Sequence, residues 1–124
     1  MADIELSELP IGNGEGGGLA AVLVTWEGLS TTDIDGEAWK NNVAADVSVQ
    51  VVGTFSTGGK VSLLGSNDGA NFAVLNDPQG NPIVLTEAKI EVILEAPLYL
   101  KPGSVAGDGS TDLDVILLAR RTIK

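Results

Sequence analysis

Neither cysteine nor histidine occurs anywhere in the 124 residues. The first absence leaves no disulfide framework, and the two together exclude structural zinc held by Cys or His ligands. The lack of histidine also removes His-based general-base and triad chemistry. Aromatic residues are scarce: two Trp, two Phe and one Tyr. Basic side chains are few, 7 against 17 acidic ones, for a formal net charge of −10. A surface this acidic is repelled at long range by nucleic acid and by anionic membranes, so neither is an expected partner. No apolar run approaches the roughly 20 residues needed to span a bilayer. The opening MADIELSELP lacks the basic start and apolar stretch of a signal peptide, and the expectation is a protein made and assembled in a cytoplasm.

What is present is aliphatic and turn-rich. Apolar residues make up 44% of the chain, mostly Val, Leu, Ala and Ile, and they are punctuated by sixteen Gly and five Pro. The length suits one domain with one modest core. Frequent turn formers between short aliphatic runs point to many short strands rather than a helix bundle.

Residues 1–18 read as a flexible, Gly-rich N-terminal arm ahead of a single β-sandwich domain at 19–124. The run Gly12-Asn13-Gly14-Glu15-Gly16-Gly17-Gly18 is too rich in glycine to order itself cheaply. Ahead of it, Ile4, Leu6, Leu9 and Ile11 have the character of an anchor for a neighbouring surface. Strands are expected at 19–26, 46–52, 60–66, 72–75, 98–101 and 113–121. The clearest is 46–52, where Val47, Val49 and Val51 alternate with Ser48 and Gln50. Asn67-Asp68-Gly69 is a hairpin signal, because Asx residues and Gly accept the positive φ of tight turns. The loop at 30–42 has room for one helical turn around Trp39. Residues 83–96 fit two patterns: Thr86 as cap of a short helix carrying Ile90, Ile93 and Leu94, or a strand with Ile90, Val92 and Leu94 alternating. The reading leans to the helix, ended before Pro97. In the last strand Leu113, Val115, Leu117 and Ala119 share one face while Ile116 and Leu118 lie on the other, so that strand is covered on both sides or meets a partner. Six to eight strands with regular turns are the pattern of an all-β sandwich or jelly roll.

Chemistry is hard to assemble from these residues. Asp33-Ile34-Asp35-Gly36-Glu37 fails as a calcium loop, since Gly36 falls fourth rather than sixth and Ala44 stands where a bidentate Glu is needed. Asp108, Asp112 and Asp114 read as a solvated acidic loop before they read as a cation site. With 17 acids, a chance pair of carboxylates is no sign of glycoside hydrolysis. The glycine run at 14–18 lacks the Lys-Ser/Thr of a phosphate loop. No cofactor, metal or catalytic residue is expected. Arg120 and Arg121 are candidates for docking on an acidic patch, with ordinary strand-end solubilising charge as the plainer alternative. Trp39, Ile116 and Leu118 are candidate oligomer or partner contacts, with a core role for Trp39 as the plainer alternative.

Four segments, in order, carry a resemblance: Ser66-Asn67-Asp68-Gly69, Asp77-Pro78-Gln79-Gly80-Asn81, Tyr99 to Pro102, and Ala119-Arg120-Arg121. Over about residues 45–121 the chain resembles the small jelly-roll cement, or decoration, proteins of tailed-bacteriophage heads. That resemblance implies a virion structural protein on the capsid exterior. Its partner would be the major capsid protein, and it would act as a dimer or trimer without catalysis. It implies an arm ordered on docking, which would place Ile4, Leu6, Leu9, Ile11, Arg120 and Arg121 against the shell. The strand followed by Ser66-Asn67-Asp68-Gly69 and the aromatic Phe72 also resembles discoidin-like sandwiches, which implies the alternative of a carbohydrate-binding or receptor-recognition module.

Overall fold

The computed structural model describes residues 3–12, 19–42 and 46–120, and of residues 12, 19 and 20 the backbone only. These residues hold ten strands and no helix: β1 (Leu6–Gly12), β2 (Leu19–Leu29), β3 (Trp39–Lys40), β4 (Asp46–Thr54), β5 (Lys60–Ser66), β6 (Ala73–Val74), β7 (Val84–Leu85), β8 (Lys89–Val92), β9 (Tyr99–Ala106) and β10 (Asp112–Arg120). One antiparallel sheet has the order β1-β2-β10-β4-β8. The other has the order β3-β9-β5-β6, with β7 also paired to β5.

The connectivity is that of a long hairpin rolled up. β2 pairs with β10, β3 with β9, β4 with β8 and β5 with β7, each antiparallel. Rolling then brings β10 against β4 and β9 against β5, which joins the strand pairs into two sheets. The expected all-β sandwich is therefore present. Between the sheets lies one core, with Trp26, Leu29, Leu63, Leu100, Leu113 and Leu117 fully buried. Its aliphatic, β-branched character suits residues standing on a pleated, half-buried surface. The indole of Trp26 keeps its polar edge satisfied by donating to the Glu37 carbonyl at 2.9 Å.

Four local expectations differ from the structure. Residues 6–12, assigned to the arm, form strand β1 at the edge of the first sheet, in register from Leu6↔Trp26 to Ile11↔Ala21. Ile4 is held just before it, its N–H donating to Asp35 O (3.0 Å) and its carbonyl accepting from Glu37 N (2.8 Å). Ile4 and Leu6 pack against the core, which is what anchors this segment in its own domain. The glycine run at 13–18 lies outside the described residues. The helix favoured within 83–96 is instead two short strands, β7 and β8, because pairing with β5 and β4 satisfies their backbone and period 2 prevails over the helical period. The helical turn considered around Trp39 is strand β3.

The strand expected to stop at Pro102 continues to Ala106. Proline is tolerated within sheets at irregular positions. Here the pairing of β5 with β9 shifts register between Lys60 and Ser62, and Ser104 takes a left-handed φ of 55°. The Asp35 carboxylate accepts the Ser104 N–H at 3.1 Å at this irregularity.

The turns are built by side chains. Ser66 Oγ accepts from Asp68 N and Gly69 N, and donates to Asp68 Oδ1. Asp68 Oδ1 accepts from Ala70 N and Asn71 N, both at 2.8 Å. Gly69 has φ 78°, the left-handed geometry such a turn requires. Asp77 repeats the device, accepting from Gln79 N and Asn81 N at 3.0 Å.

These bonds lower the pKa of several carboxyl groups. The N–H groups of Asn71 and Ala70 hold the Asp68 carboxyl far below the ordinary 3.8, and the Ser110 N–H lowers Asp108. At Glu95 burial pushes upward, but bonds from the Asn76 N–H and side-chain amide leave it below 4.5. Folded-state values below the unfolded ones mean stability that is present above pH 4.5 and lost as pH falls through the folded values. The thermal midpoint is expected to drop on acidification from pH 5 to about pH 2, less steeply in Asp68→Asn. Calorimetry across that range checks it, and equal slopes would remove Asp68 as a contributor. A second expectation concerns β1: deleting residues 1–12 should lower the thermal midpoint, because it removes the pairing of β2 on one side and uncovers the core beside Trp26. An unchanged midpoint would return the segment to the role of an arm.

Candidate interaction surface

In antiparallel sheets, directly opposed residues point to the same side, so the register assigns each side chain of the first sheet to a face. The inner face carries Val22, Val24, Trp26, Val47, Val49, Val51, Val115, Leu117 and Ala119, all buried. The outer face is read in rows across the strands. One row is Ser7, Thr25, Ile116, Gln50 and Ile90. The next is Leu9, Leu23, Leu118, Ser48 and Val92. These two middle rows contain no charged residue. Beyond them, Ile11, Ala21, Arg120 and Asp46 form the row at one end, and Glu27, Asp114 and Val52 stand at the other.

The bulge that ends the pairing of β2 with β10 shapes the acidic end. Register shifts between Leu113 and Val115, Gly28 takes φ 85°, and its N–H donates to Asp114 Oδ1 at 3.0 Å. Asp114 is thereby fixed on the face rather than free to swing.

Strand β8 runs against the usual polarity of an amphipathic strand. Ile90 and Val92, 62% and 56% exposed, point outward with the middle rows. Lys89 and Glu91 take the inward side at the sheet margin and bridge each other at 2.9 Å, which raises the Lys89 pKa. Charges placed inward on a short edge strand deter edge-to-edge pairing. Pro10, within β1, leaves a gap in the donors of the opposite edge. Both margins of this sheet are guarded, while its broad face offers Leu9 (59% exposed) and its apolar neighbours to solvent.

The candidate residues separate clearly on this frame. Leu9, Ile11, Ile116, Leu118 and Arg120 come together on the outer face. Ile4 and Leu6 do not, since they pack inward. Arg121 lies outside the described residues. Trp39, proposed as a contact, is 3% exposed and belongs to the core, because pairing with Leu100 turns its ring between the sheets. That burial also withdraws it as a stacking platform for a sugar. Tyr99 is half-buried, its ring beside Gly69.

Leu23, Ile90 and Val92 were not singled out from sequence. The alternation of Ile90 and Val92 with Lys89 and Glu91 was the available signal, obscured by the helical reading of the same stretch. A shallow depression of about 380 Å³ lies where β1 faces β3, lined by Leu6, Glu8, Pro10, Glu37 and Lys40 among others. Glu37 is already engaged there, accepting from Leu6 N at 2.9 Å. Among the described residues no group of three or more acidic side chains is placed to hold a metal ion, and no buried side-chain polar atom lacks a partner. Comparison with protein-family models, curated proteins and solved structures gives no match.

The two environments predict different mutational costs. Trp39→Ala should destabilise by about 3–5 kcal/mol as a large buried side chain is lost. Val92→Ser, on the exposed face, should stay within about 0.5 kcal/mol. Urea unfolding of both variants checks this, and a near-neutral Trp39→Ala would contradict its placement in the core.

Proposed function

We propose that this chain is a capsid decoration protein of the tailed-phage type, a non-catalytic virion component that binds the major capsid protein and stabilises the head shell as a symmetric oligomer. The observation that carries the reading is the outer face of the first sheet, which supports its oligomer part: an apolar surface on which copies of the chain can associate. On a chain of net charge −10, ten cross-strand positions in two adjacent rows bear no charge and include Leu9, Leu23, Ile116, Leu118, Ile90 and Val92. Large contiguous apolar faces on soluble domains mark surfaces that other protein covers.

Two further features support it. The pairing of β2 with β10, β3 with β9, β4 with β8 and β5 with β7 supports a jelly-roll reading of the sandwich, with β1 and β6 as additions to it. The segments that resemble decoration proteins, at 66–69 and 77–81, form side-chain-locked turns, so the likeness extends over features that shape the sandwich. A rigid sandwich repeated over a shell gains from avidity, because each weak contact is multiplied across neighbouring copies.

Cryo-electron microscopy of purified protein mixed with shells of the virus that encodes it tests the proposal. Regular added density at fixed lattice positions, absent from shells alone, is the expected result. Bare shells beside well-folded free protein would refute it.

A further inference from the structure

We infer that the outer face of the first sheet is the contact with a second copy of this chain, packed face to face about a two-fold axis lying in the interface, across the strands and over Leu117. This deepens the oligomer part of the decoration reading and rests on it.

Charge is the first argument. Two copies of net charge −10 repel, and a contact between them must avoid setting acid against acid. The two middle rows meet that condition, since they carry no charge. The ends of the face go further, because along β10 one end is basic and the other acidic: Arg120 at one, Asp114 at the other. A two-fold axis across the strands reverses strand direction in the second copy. Centred on Leu117, it sets Arg120 of each copy toward Asp114 of the other, three residues from the centre on opposite sides. It likewise sets Ile116 toward Leu118. The same operation exchanges the two middle rows, so Ile90 approaches Val92 of the other copy, Ser7, Thr25 and Gln50 face Leu9, Leu23 and Ser48, and no charge enters the centre of the contact. An axis along the strands would instead stack Arg120 over the like end of its mate. Self-complementarity of this kind is the requirement of an isologous contact.

Area is the second argument. Five strands about 4.8 Å apart, and four rows along them, give a face of about 24 Å by 20 Å. Two such faces cover about 1,000 Å² in total, the threshold for a specific association. A pair held at that threshold forms reversibly, and sheets packing face to face keep the aligned arrangement natural to twisted sheets. The guarded margins, Pro10 on β1 and the Lys89–Glu91 bridge on β8, leave the face rather than the edges as the route of association.

Sedimentation equilibrium and native mass spectrometry of the purified protein alone test the inference. The expected result is a reversible species of twice 12.7 kDa. Leu118→Asp should weaken it by about 100-fold, in line with loss of a central apolar contact. Val92→Asp, at an exposed position, provides the same test where Leu118→Asp perturbs folding, and thermal midpoints identify that case. Arg120→Glu should weaken the pair by about 10-fold. Val74→Asp, on the second sheet and exposed, should leave it unchanged. A monomer at every concentration, a trimer, or a dimer indifferent to Leu118→Asp and Val92→Asp would each overturn the inference. No capsid enters this experiment, so its failure is told apart from a failure to bind shells.

Discussion

Strand β10 pairs on both sides, with β2 and with β4, and the rest of the sandwich is arranged around that double pairing. Leu113, Val115, Leu117 and Ala119 on its inner side are all but completely buried. Its outer side, with Ile116 and Leu118, stands at the middle of the uncharged face. The same strand therefore fixes the core and presents the surface. This economy follows from period 2: once alternate side chains are committed to the core, the intervening ones are placed on the far face at a spacing the backbone sets.

The second constraint is satisfaction of polar groups where the chain reverses. Asp68, Asp77 and Asp108 each accept backbone N–H groups of their own turn. Several of the 17 acids thus serve as structural acceptors, so the acidity of this chain is only partly a matter of its surface field. It also bears on the proposed relation to decoration proteins, because the segments at 66–69 and 77–81 on which that proposal draws are turns of this type. Such segments record how a sandwich of this connectivity turns its corners.

Much of the fold was legible because strand periodicity and turn chemistry are local. The alternation of Val47, Val49 and Val51 located β4, and Asn67-Asp68-Gly69 located a reversal that the structure contains. The errors fell where tertiary pairing decides. Leu6 to Gly12 shows little alternation and adjoins a glycine run, so its membership in a sheet rests on β2, distant evidence for a local reading. Residues 83–96 satisfied both periods, and only the presence of β4 and β5 alongside selects strands. Pro102 reads as a stop until the shift in pairing near Ser62 is known. For the surface, Ile116 and Leu118 were visible as the second face of an apolar strand. Trp39 was misplaced outward, since a tryptophan in a polar loop gives no local sign of which sheet will cover it.

The central strand is also the last in sequence among the described strands. Until β10 emerges from the ribosome, β2 and β4 have no neighbour between them, and their valine-rich inner faces have no complete sheet in which to close. Every strand from β2 to β10 must be synthesised before the first sheet can close, and β2, paired early only with β1, meets its second partner some ninety residues away. The nascent chain is accordingly dependent on delayed, long-range closure. Premature termination before β10 would yield not a smaller sandwich but an aggregation-prone pair of half-sheets.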